Sequence, residues 1–398
     1  MKPVRRTLLR RRVTRESPRA PTPYPVCDDL AAWCATRPDA QRVVVAKAFT
    51  TTRPPPRTLE PEVDASFAPL CSYTVPERAV VQIPGARLRG AGGPRHSRVG
   101  LALLPDGQFV GELVALTPAG RRAMLADEPS YTTRLPPRPE QKAGSYYAFV
   151  GFGMHHYYHW CHDLIMGAIG LAGHLAPDAR IIVPADMRPF QRESLALLGL
   201  DPRSWVEFPA DGYWELEHLH VITPKLKTQI DSPEPFRWFR DAAMARLGVG
   251  PARPRRRLYL TRRGDGHWRT VNEPAVEAEL HRFGFETVAP GTLSFKAQAE
   301  LFAEAEVIVG TGAGLFNMVF SPPGTKVLQF QERVHMVNAL WTEASAMGFE
   351  YHYVLGDPVP NPEAHDLDIH MPLDRLEASL QAMGLAPRGG ARTAGPRS

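Results

Sequence analysis

Short runs of apolar residues, separated by polar turns, divide the first part of the chain into two regions. From residue 41 to 135 the runs are short and alternate apolar with polar positions, as in "RVVVAKAF" and "GQFVGELVAL". This pattern predicts a small β-rich region. From 145 to 235 similar runs alternate with longer segments of helical periodicity, which predicts strands and helices in turn.

The pattern after residue 255 is more regular. The apolar runs "RRLYLTR", "FETVAP", "EVIVG", "KVLQFQ" and "EYHYVLG" are each followed by a helical or glycine-rich segment. Such strand–helix units predict a parallel sheet covered by helices, a Rossmann-like domain. We therefore predict an α/β protein, divided at a Pro/Arg-rich break into regions 41–250 and 251–386. Functional residues are expected in the loops that follow the strands, where open α/β sheets bind ligands.

Composition changes this picture mainly at the N-terminus. Lys2 and seven arginines within residues 1–19 face a single acid, Glu16, so this segment carries +7 and the rest of the chain −2 of the overall +5. No nucleic-acid partner is therefore expected for the folded part. Residues 1–40 are predicted to comprise a basic disordered arm and the segment that leads from it into the folded region. The alternative is that the arm contacts an anionic membrane surface. Residues 387–398 are predicted to be a disordered tail.

Localisation is predicted from two missing signals. No apolar run of a signal peptide follows the arginines, and the longest apolar candidate, 164–173, has about half the roughly 20 residues of a transmembrane helix. The four cysteines show no CxxC pair and no framework spacing, which indicates reduced thiols. We expect a cytoplasmic protein, either fully soluble or peripheral to a membrane.

A glycine-rich turn follows the strand "EVIVG". It contains Thr311, Gly312, Ala313 and Gly314, and such small residues let backbone N–H groups approach an anion. A tight turn without a ligand is one alternative. A dinucleotide fingerprint with Glu332 as the ribose ligand is disfavoured, because the spacing is GxGxG and "SPPG" stops the helix after about two turns.

Arginines lie in the loop after "RRLYLTR". This loop contains Arg262, Arg263 and Arg269 and leads to Asn272 and Glu273, where a helix begins. Arginines that face a phosphate-binding turn suit bidentate phosphate contacts, and solvent-exposed arginines on a surface loop are the alternative. Asn272 is predicted to cap the helix.

The segment "GMHHYYHWCHDLIMGAIGLAG" combines four histidines, a cysteine and an aspartate with an apolar end. A regular helix over 157–172 places one group of residues on one side and an apolar stripe on the other. That group is His159, His162, Asp163, Met166 and Gly170. Three interpretations remain open: a metal site, a structural cluster of histidines and a catalytic face that lines a cleft.

Several motifs, in order along the chain, resemble those of glycosyltransferase family 61. They are the strand end "YLTRR", the helix start "RTVNEP", then "GFE", "LSFKAQ", and "GAGLFN" before "PPG". The resemblance is close over 255–332. It extends more loosely back to 145 through His159, Trp160 and Asp163 of the histidine-rich helix.

The resemblance implies a GT-B-like architecture, two Rossmann-like domains that face a cleft, here with a small β-rich N-terminal region. It implies inverting, metal-independent transfer from a nucleotide sugar, usually a UDP-sugar, to a hydroxyl of a glycan or protein, without a cofactor. Relatives transfer N-acetylglucosamine, xylose or arabinose. Many of them carry histidine where Thr311 stands, which favours a donor-pocket role for Thr311 over proton transfer.

The candidate site combines this resemblance with the loops. Asp163 is the first choice for the general base, with His159 and His162 orienting it or serving instead. The donor is assigned to Arg262, Arg263, Arg269, Asn272, Glu273, Thr311, Gly312, Ala313, Gly314 and Asn317. The alternatives are a metal-dependent enzyme centred on the cluster from His155 to Asp163, and a non-catalytic nucleotide-sugar-binding protein. No bound metal is expected.

Overall fold

The computed structural model of the 398-residue chain describes residues 24–90, 101–114, 118–119, 121–122, 138–149, 154, 156–165, 178–197, 199–223, 233–264, 269–334, 336–362 and 366–388. The first 23 residues of the predicted arm and the tail from 389 lie outside these ranges. His155, Met166 and Gly170 of the histidine-rich segment also lie outside them. The predictions made for these residues stay predictions.

Strands and helices alternate through most of the described chain. The strands are β1 (Val26–Cys27), β2 (Gln41–Ala46), β3 (Phe49–Thr52), β4 (Ser72–Val75), β5 (Arg78–Arg89), β6 (Leu101–Leu103), β7 (Phe109–Val110), β8 (Glu140–Ala148), β9 (Arg180–Pro184), β10 (Trp205–Phe208), β11 (Tyr213–Thr223), β12 (Arg256–Leu260), β13 (Glu286–Val288), β14 (Ala305–Gly310), β15 (Lys326–Glu332), β16 (Glu350–Asn361) and β17 (Asp366–His370). The helices are α1 (Leu30–Ala35), α2 (Tyr157–His159), α3 (Pro189–Leu197), α4 (Pro233–Leu247), α5 (Glu273–Arg282), α6 (Phe295–Ala303), α7 (Ala339–Met347) and α8 (Leu373–Ala382), and a 3-10 helix covers Ala313–Phe320.

The first sheet is mixed and contains strands from both patterns of the N-terminal region. Its order is β1-β7-β6-β5-β11-β8-β9-β10, with β2 paired to β5, while β3 and β4 form a separate hairpin. β8 to β11 pair in parallel, and β5 joins them by a long antiparallel pairing with β11. β5 pairs with β2 and β6 of the β-rich segment and with β11 of the α/β segment, so it joins the two segments in one sheet.

The second sheet has the order β13-β12-β14-β15-β16-β17. The first five of these strands are parallel, as the strand–helix units predict. The antiparallel strand β17 beside β16 was not predicted from the sequence. In chain order the parallel strands run 2-1-3-4-5, a doubly wound arrangement whose switch point lies between β12 and β14. A ligand is expected there, where the loops after these two strands diverge.

Local sequence sets the ends of the helices in this half. Ser294 caps α6, because its Oγ accepts a hydrogen bond from the Ala297 N–H at 3.2 Å. Asn272 occupies the N-cap position of α5, as predicted, but its side chain makes no capping bond. Its Oδ1 accepts from the Met371 N–H at 3.0 Å and its Nδ2 donates to the Met371 carbonyl at 2.8 Å. The amide fixes the segment after β17 instead.

One hydrophobic core continues from the first sheet into the second. Its buried members include Val80, Tyr147, Phe149, Leu260, Phe302 and Ile308. Phe316 of the 3-10 helix lies in its middle, with ring centroids 6.1 Å from Tyr157, 5.8 Å from Tyr158 and 6.0 Å from Phe239 of α4. α4 therefore packs on the C-terminal half, although it precedes the predicted boundary at 250.

Phe316→Ala should lower the free energy of unfolding by about 3–5 kcal/mol, because it leaves a ring-sized cavity in this core. The control is Leu59→Ala, at a side chain that is 57% exposed. Its effect should be about 0.5 kcal/mol or less. Urea denaturation measures both. Equally small changes in the two variants would contradict a shared core centred on Phe316.

None of the described helices combines the length and the apolar character needed to cross a bilayer. The longest of the helices named above, α4, has 15 residues. The four cysteines are free thiols, in agreement with their spacing in the sequence.

Candidate active site

The histidine-rich segment forms an irregular helix. It is α-helical over Tyr157–His159 and continues as a π-helical turn over Trp160–Ile165. Turns of this kind are rare and occur frequently at functional sites. The prediction of a regular helix with an apolar and a polar side was wrong here, because the wider turn changes the angle between successive side chains. Every residue of the π-turn is buried, His162 and Asp163 included.

Asp163 lies between two imidazoles. Its Oδ2 is 3.0 Å from Nδ1 of His159, and its Oδ1 is 2.8 Å from Nδ1 of His162. When Asp163 is ionised its carboxylate only accepts hydrogen bonds, and in that state both Nδ1 atoms are the donors. The Asp163 side chain is 3% exposed, whereas that of His159 is 33% exposed. With Nδ1 as the donor, Nε2 is the ring nitrogen of His159 that carries no proton, and the bond to Asp163 orients the ring.

His162 is fixed by aromatic contacts. Its ring stacks on Tyr158 with centroids 5.0 Å apart and an interplanar angle of 11°, and it lies 5.7 Å from Phe236 of α4. The side chain is buried. His162 therefore holds the second carboxylate oxygen of Asp163 from inside the fold.

A metal site was one interpretation of this cluster. The described residues contain no group of three or more His, Cys, Asp or Glu side chains that could hold a metal ion. His155, on which that interpretation partly depends, is outside them. Within the part of the chain that the structure describes, the cluster is a hydrogen-bonded triad of one carboxylate and two imidazoles.

Arg262 and Gly312 meet at the switch point of the second sheet. Leu260 at the end of β12 pairs with Gly310 at the end of β14, so the two following loops leave the sheet side by side. A Cβ atom on Gly312 would lie 2.0 Å from Nη1 of Arg262, and the φ of 73° is in the left-handed region that favours glycine. The guanidinium therefore packs directly on the bare Cα of Gly312.

The 3-10 helix begins directly after this contact. Its first hydrogen bond runs from the Leu315 N–H to the Gly312 carbonyl at 3.2 Å, and the N–H groups of Ala313 and Gly314 precede it. Buried Thr311 lines a small cavity beside the turn, together with Gln331 and Glu332. A guanidinium, a helix start and small residues thus combine where doubly wound sheets bind phosphate.

The other two predicted arginines are engaged elsewhere. Exposed Arg263 pairs with Glu277 and lies 3.5 Å from Glu273. Arg269 is bound to Asp368 of β17 through its backbone N–H at 2.9 Å, Nε at 3.0 Å and Nη2 at 2.8 Å. Burial acts to raise the pKa of Asp368, but these bonds and one from Asn361 outweigh it and lower the pKa, so Asp368 stays ionised and paired.

Comparison with known families agrees with this geometry. The family model described as Glycosyltransferase 61 matches residues 157–328, somewhat under half of the chain. Residues 157–328 belong to glycosyltransferase family 61. The family points to a glycosyltransferase, an enzyme that uses a nucleotide-sugar donor and an acceptor. Every candidate residue from His159 to Asn317 lies inside the matched segment. No curated protein matches the chain.

Within the family 61 segment, Glu273 shapes the turn after β12. Its Oε1 accepts hydrogen bonds from the Tyr259 hydroxyl at 3.0 Å and from Thr261 Oγ1 at 2.6 Å. Thr261 Oγ1 also accepts from the Arg263 N–H at 3.0 Å. Sequence reasoning missed Thr261, although a hydroxyl residue at the first loop position is a common turn-forming signal. Glu273 and Thr261 support the loop that carries Arg262.

Asn317 also lies inside the family 61 segment, away from the surface. Its side chain is buried between the two halves, and its Oδ1 accepts a hydrogen bond from the Tyr157 hydroxyl at 2.6 Å. Sequence reasoning missed Tyr157, because an aromatic residue before His159 has the pattern of an ordinary core position. The predicted contact of Asn317 with the donor stays a prediction.

Proposed function

We propose that the protein is an inverting glycosyltransferase of GT-B-like architecture that moves a sugar from a UDP-sugar to a hydroxyl of a glycan or protein. The observation that carries the proposal is the packing of Arg262 on Gly312 at the switch point. The 3-10 helix that starts there contacts α2 through Phe316. A phosphate-binding turn and the His159–Asp163 pair are thus joined by two short helices.

The sequence favours Asp163 as the general base. Because the side chain of Asp163 is buried and that of His159 is partly exposed, we assign the role of base to His159 instead. His159 Nε2 takes the proton of the acceptor hydroxyl as the oxygen forms a bond to the anomeric carbon. The bond from that carbon to the diphosphate oxygen breaks, and the diphosphate leaves with the electron pair. Attack from the side opposite the leaving group inverts the anomeric configuration. Asp163 stabilises the imidazolium that forms.

The departing diphosphate needs positive charge near it. Arg262 supplies a guanidinium, and the N–H groups of Ala313 and Gly314 supply hydrogen-bond donors at the helix start. These groups do the work that a divalent cation does in metal-dependent transferases. Metal-independent transfer is therefore part of the proposal.

UDP should raise the melting temperature of the protein far more than uridine does, because the proposed site binds mainly the diphosphate. A ligand at about 100 times its Kd adds about 2.7 kcal/mol to the stability of the folded state. A thermal-shift panel of UDP, GDP, uridine, UDP-N-acetylglucosamine, UDP-xylose and UDP-arabinose, with and without EDTA, measures this.

The same panel tests the alternatives. A shift that EDTA abolishes would contradict metal independence. No shift with any nucleotide diphosphate would overturn the donor site. A UDP-sugar that binds but releases no UDP over time, in the presence of glycan and protein acceptors, would favour a non-catalytic binding protein.

A further inference from the structure

Tyr157 combines a buried aromatic ring with a polar group directed at the other half of the molecule. The ring packs on Phe190, Phe295 and Phe316, with centroids 5.3, 6.3 and 6.1 Å away. The hydroxyl donates to Asn317 Oδ1 at 2.6 Å and lies 3.4 Å from Gln298 Oε1. Phenylalanine would fill the same space, so the hydroxyl adds only polar contacts. The bond to Asn317 is shorter than the contact with Gln298, and a hydrogen bond with Cys161, which lies on the same helical segment, is a further one.

The hydrogen bond joins the two parts of the candidate site. Tyr157 is the first residue of α2, in the same helical turn as His159. Asn317 belongs to the 3-10 helix that begins directly after Gly312. One short hydrogen bond therefore links the helix that carries the proposed base to the helix that starts at the phosphate-binding turn.

Asn317 has an unfavourable effect on the stability of the fold at this position. Its side chain is 1% exposed, and its Nδ2 has no hydrogen-bond partner among the described residues. A buried donor without a partner destabilises a fold, and an apolar residue of similar shape would avoid that cost. Asparagine provides an oxygen that accepts the hydrogen bond from the Tyr157 hydroxyl, which leucine could not do.

The direction of the bond is fixed by burial. Burial raises the pKa of the Tyr157 hydroxyl well above its usual range, and the neighbouring Cys161 and Glu343 raise it further. The hydroxyl is therefore protonated at neutral pH and is the donor to Asn317.

We propose that Tyr157 is a positioning residue for sugar transfer. Through Asn317 it sets the position of α2, and with it His159 and Asp163, relative to the Arg262–Gly312 turn. The inference rests on the proposed function. It assigns to Tyr157 an effect on the transfer step and none on donor affinity, because the hydroxyl contacts neither the turn nor the donor.

Tyr157→Phe in the full-length protein should reduce the turnover number roughly 10–100-fold, since a displacement of about 1 Å at a reacting group has effects of this size. The affinity for UDP, measured by calorimetry, should stay within about twofold by the same reasoning. Turnover is followed as UDP release to water from the UDP-sugar with the largest thermal shift, because water, like a sugar hydroxyl, needs the base.

The matched control is Tyr146→Phe. Tyr146 is also buried, and its hydroxyl donates to the Ala143 carbonyl at 3.0 Å, away from α2. This variant should keep both turnover and UDP affinity. It reports what the loss of one tyrosine hydroxyl does to the fold alone, and melting temperatures of both variants complete the comparison.

A second variant separates positioning from binding. Asn317→Leu should reduce turnover as Tyr157→Phe does, and the double variant should be no slower than either, because both remove the same bond. Normal turnover in Tyr157→Phe would overturn the inference. Weaker UDP binding by Asn317→Leu would also overturn it and would favour a direct donor contact of Asn317. A wild-type protein that binds no UDP would instead overturn the proposed function, and the positioning role with it.

Discussion

His159→Gln should slow sugar transfer roughly 10²–10⁴-fold, the usual contribution of a general base. Glutamine can keep a hydrogen bond to Asp163, but its amide cannot accept a proton at neutral pH. The affinity for UDP should not change, because the diphosphate is assigned to the Arg262–Gly312 turn. Rates of UDP release and calorimetric titration with UDP measure the two quantities on the same preparation.

Two further variants rank the members of the triad. Asp163→Asn should also be slow, since its Nδ2 donates where the carboxylate only accepted, and one imidazole must then change tautomer. His162→Gln should have the smallest effect, because the His162 ring is buried and its Nδ1 contacts Asp163, so it acts on the proposed base through that carboxylate. Near-normal turnover of His159→Gln beside an inactive Asp163→Asn would return the base to Asp163. If both were active, α2 would be structural.

Arg262→Ala should weaken UDP binding by about 1.5–3 kcal/mol, the typical loss of a charge-assisted hydrogen bond. Gly312→Ala should weaken it comparably by a different route. Its methyl group would lie 2.0 Å from Nη1 and displace the guanidinium. Calorimetry with UDP measures both effects, and the double variant should bind no more weakly than Arg262→Ala, because no guanidinium is left to displace.

The chain offers matched controls for both variants. Gly324 has a φ of 86°, as unfavourable for alanine as that of Gly312, but an added Cβ there would meet nothing within 4 Å. Gly324→Ala therefore carries the backbone strain without the collision. Arg263 is exposed and paired with Glu277. The control Arg263→Ala therefore removes one positive charge, as Arg262→Ala does. If either control weakened UDP binding as much as its partner variant, the contact between Arg262 and Gly312 would not define the donor site.

The five parallel strands of the second sheet could be predicted, and so could the closeness of the arginine loop to the glycine-rich turn, because their signals lie in short stretches of sequence. Apolar runs punctuated by Gly and Pro mark the strands, and parallel neighbours place their loops side by side. The partners of Arg269 and Asn272 could not be predicted, since Asp368 and Met371 lie about a hundred residues away on or after a strand that the sequence did not reveal. The choice between Asp163 and His159 depends on a π-turn, which leaves no periodic signal.

α4 ends just before the Pro/Arg-rich break, yet its Phe239 packs on Phe316 and Phe320 beyond that break. A fragment that starts at the break would lose this helix and leave those rings in water. The two sheets should consequently behave as one cooperative folding unit. A hinge movement that separates the two sheets would expose the apolar side chains of their shared core to water. We therefore expect substrates to bind with movements of small segments, and not with a movement of one half of the molecule relative to the other.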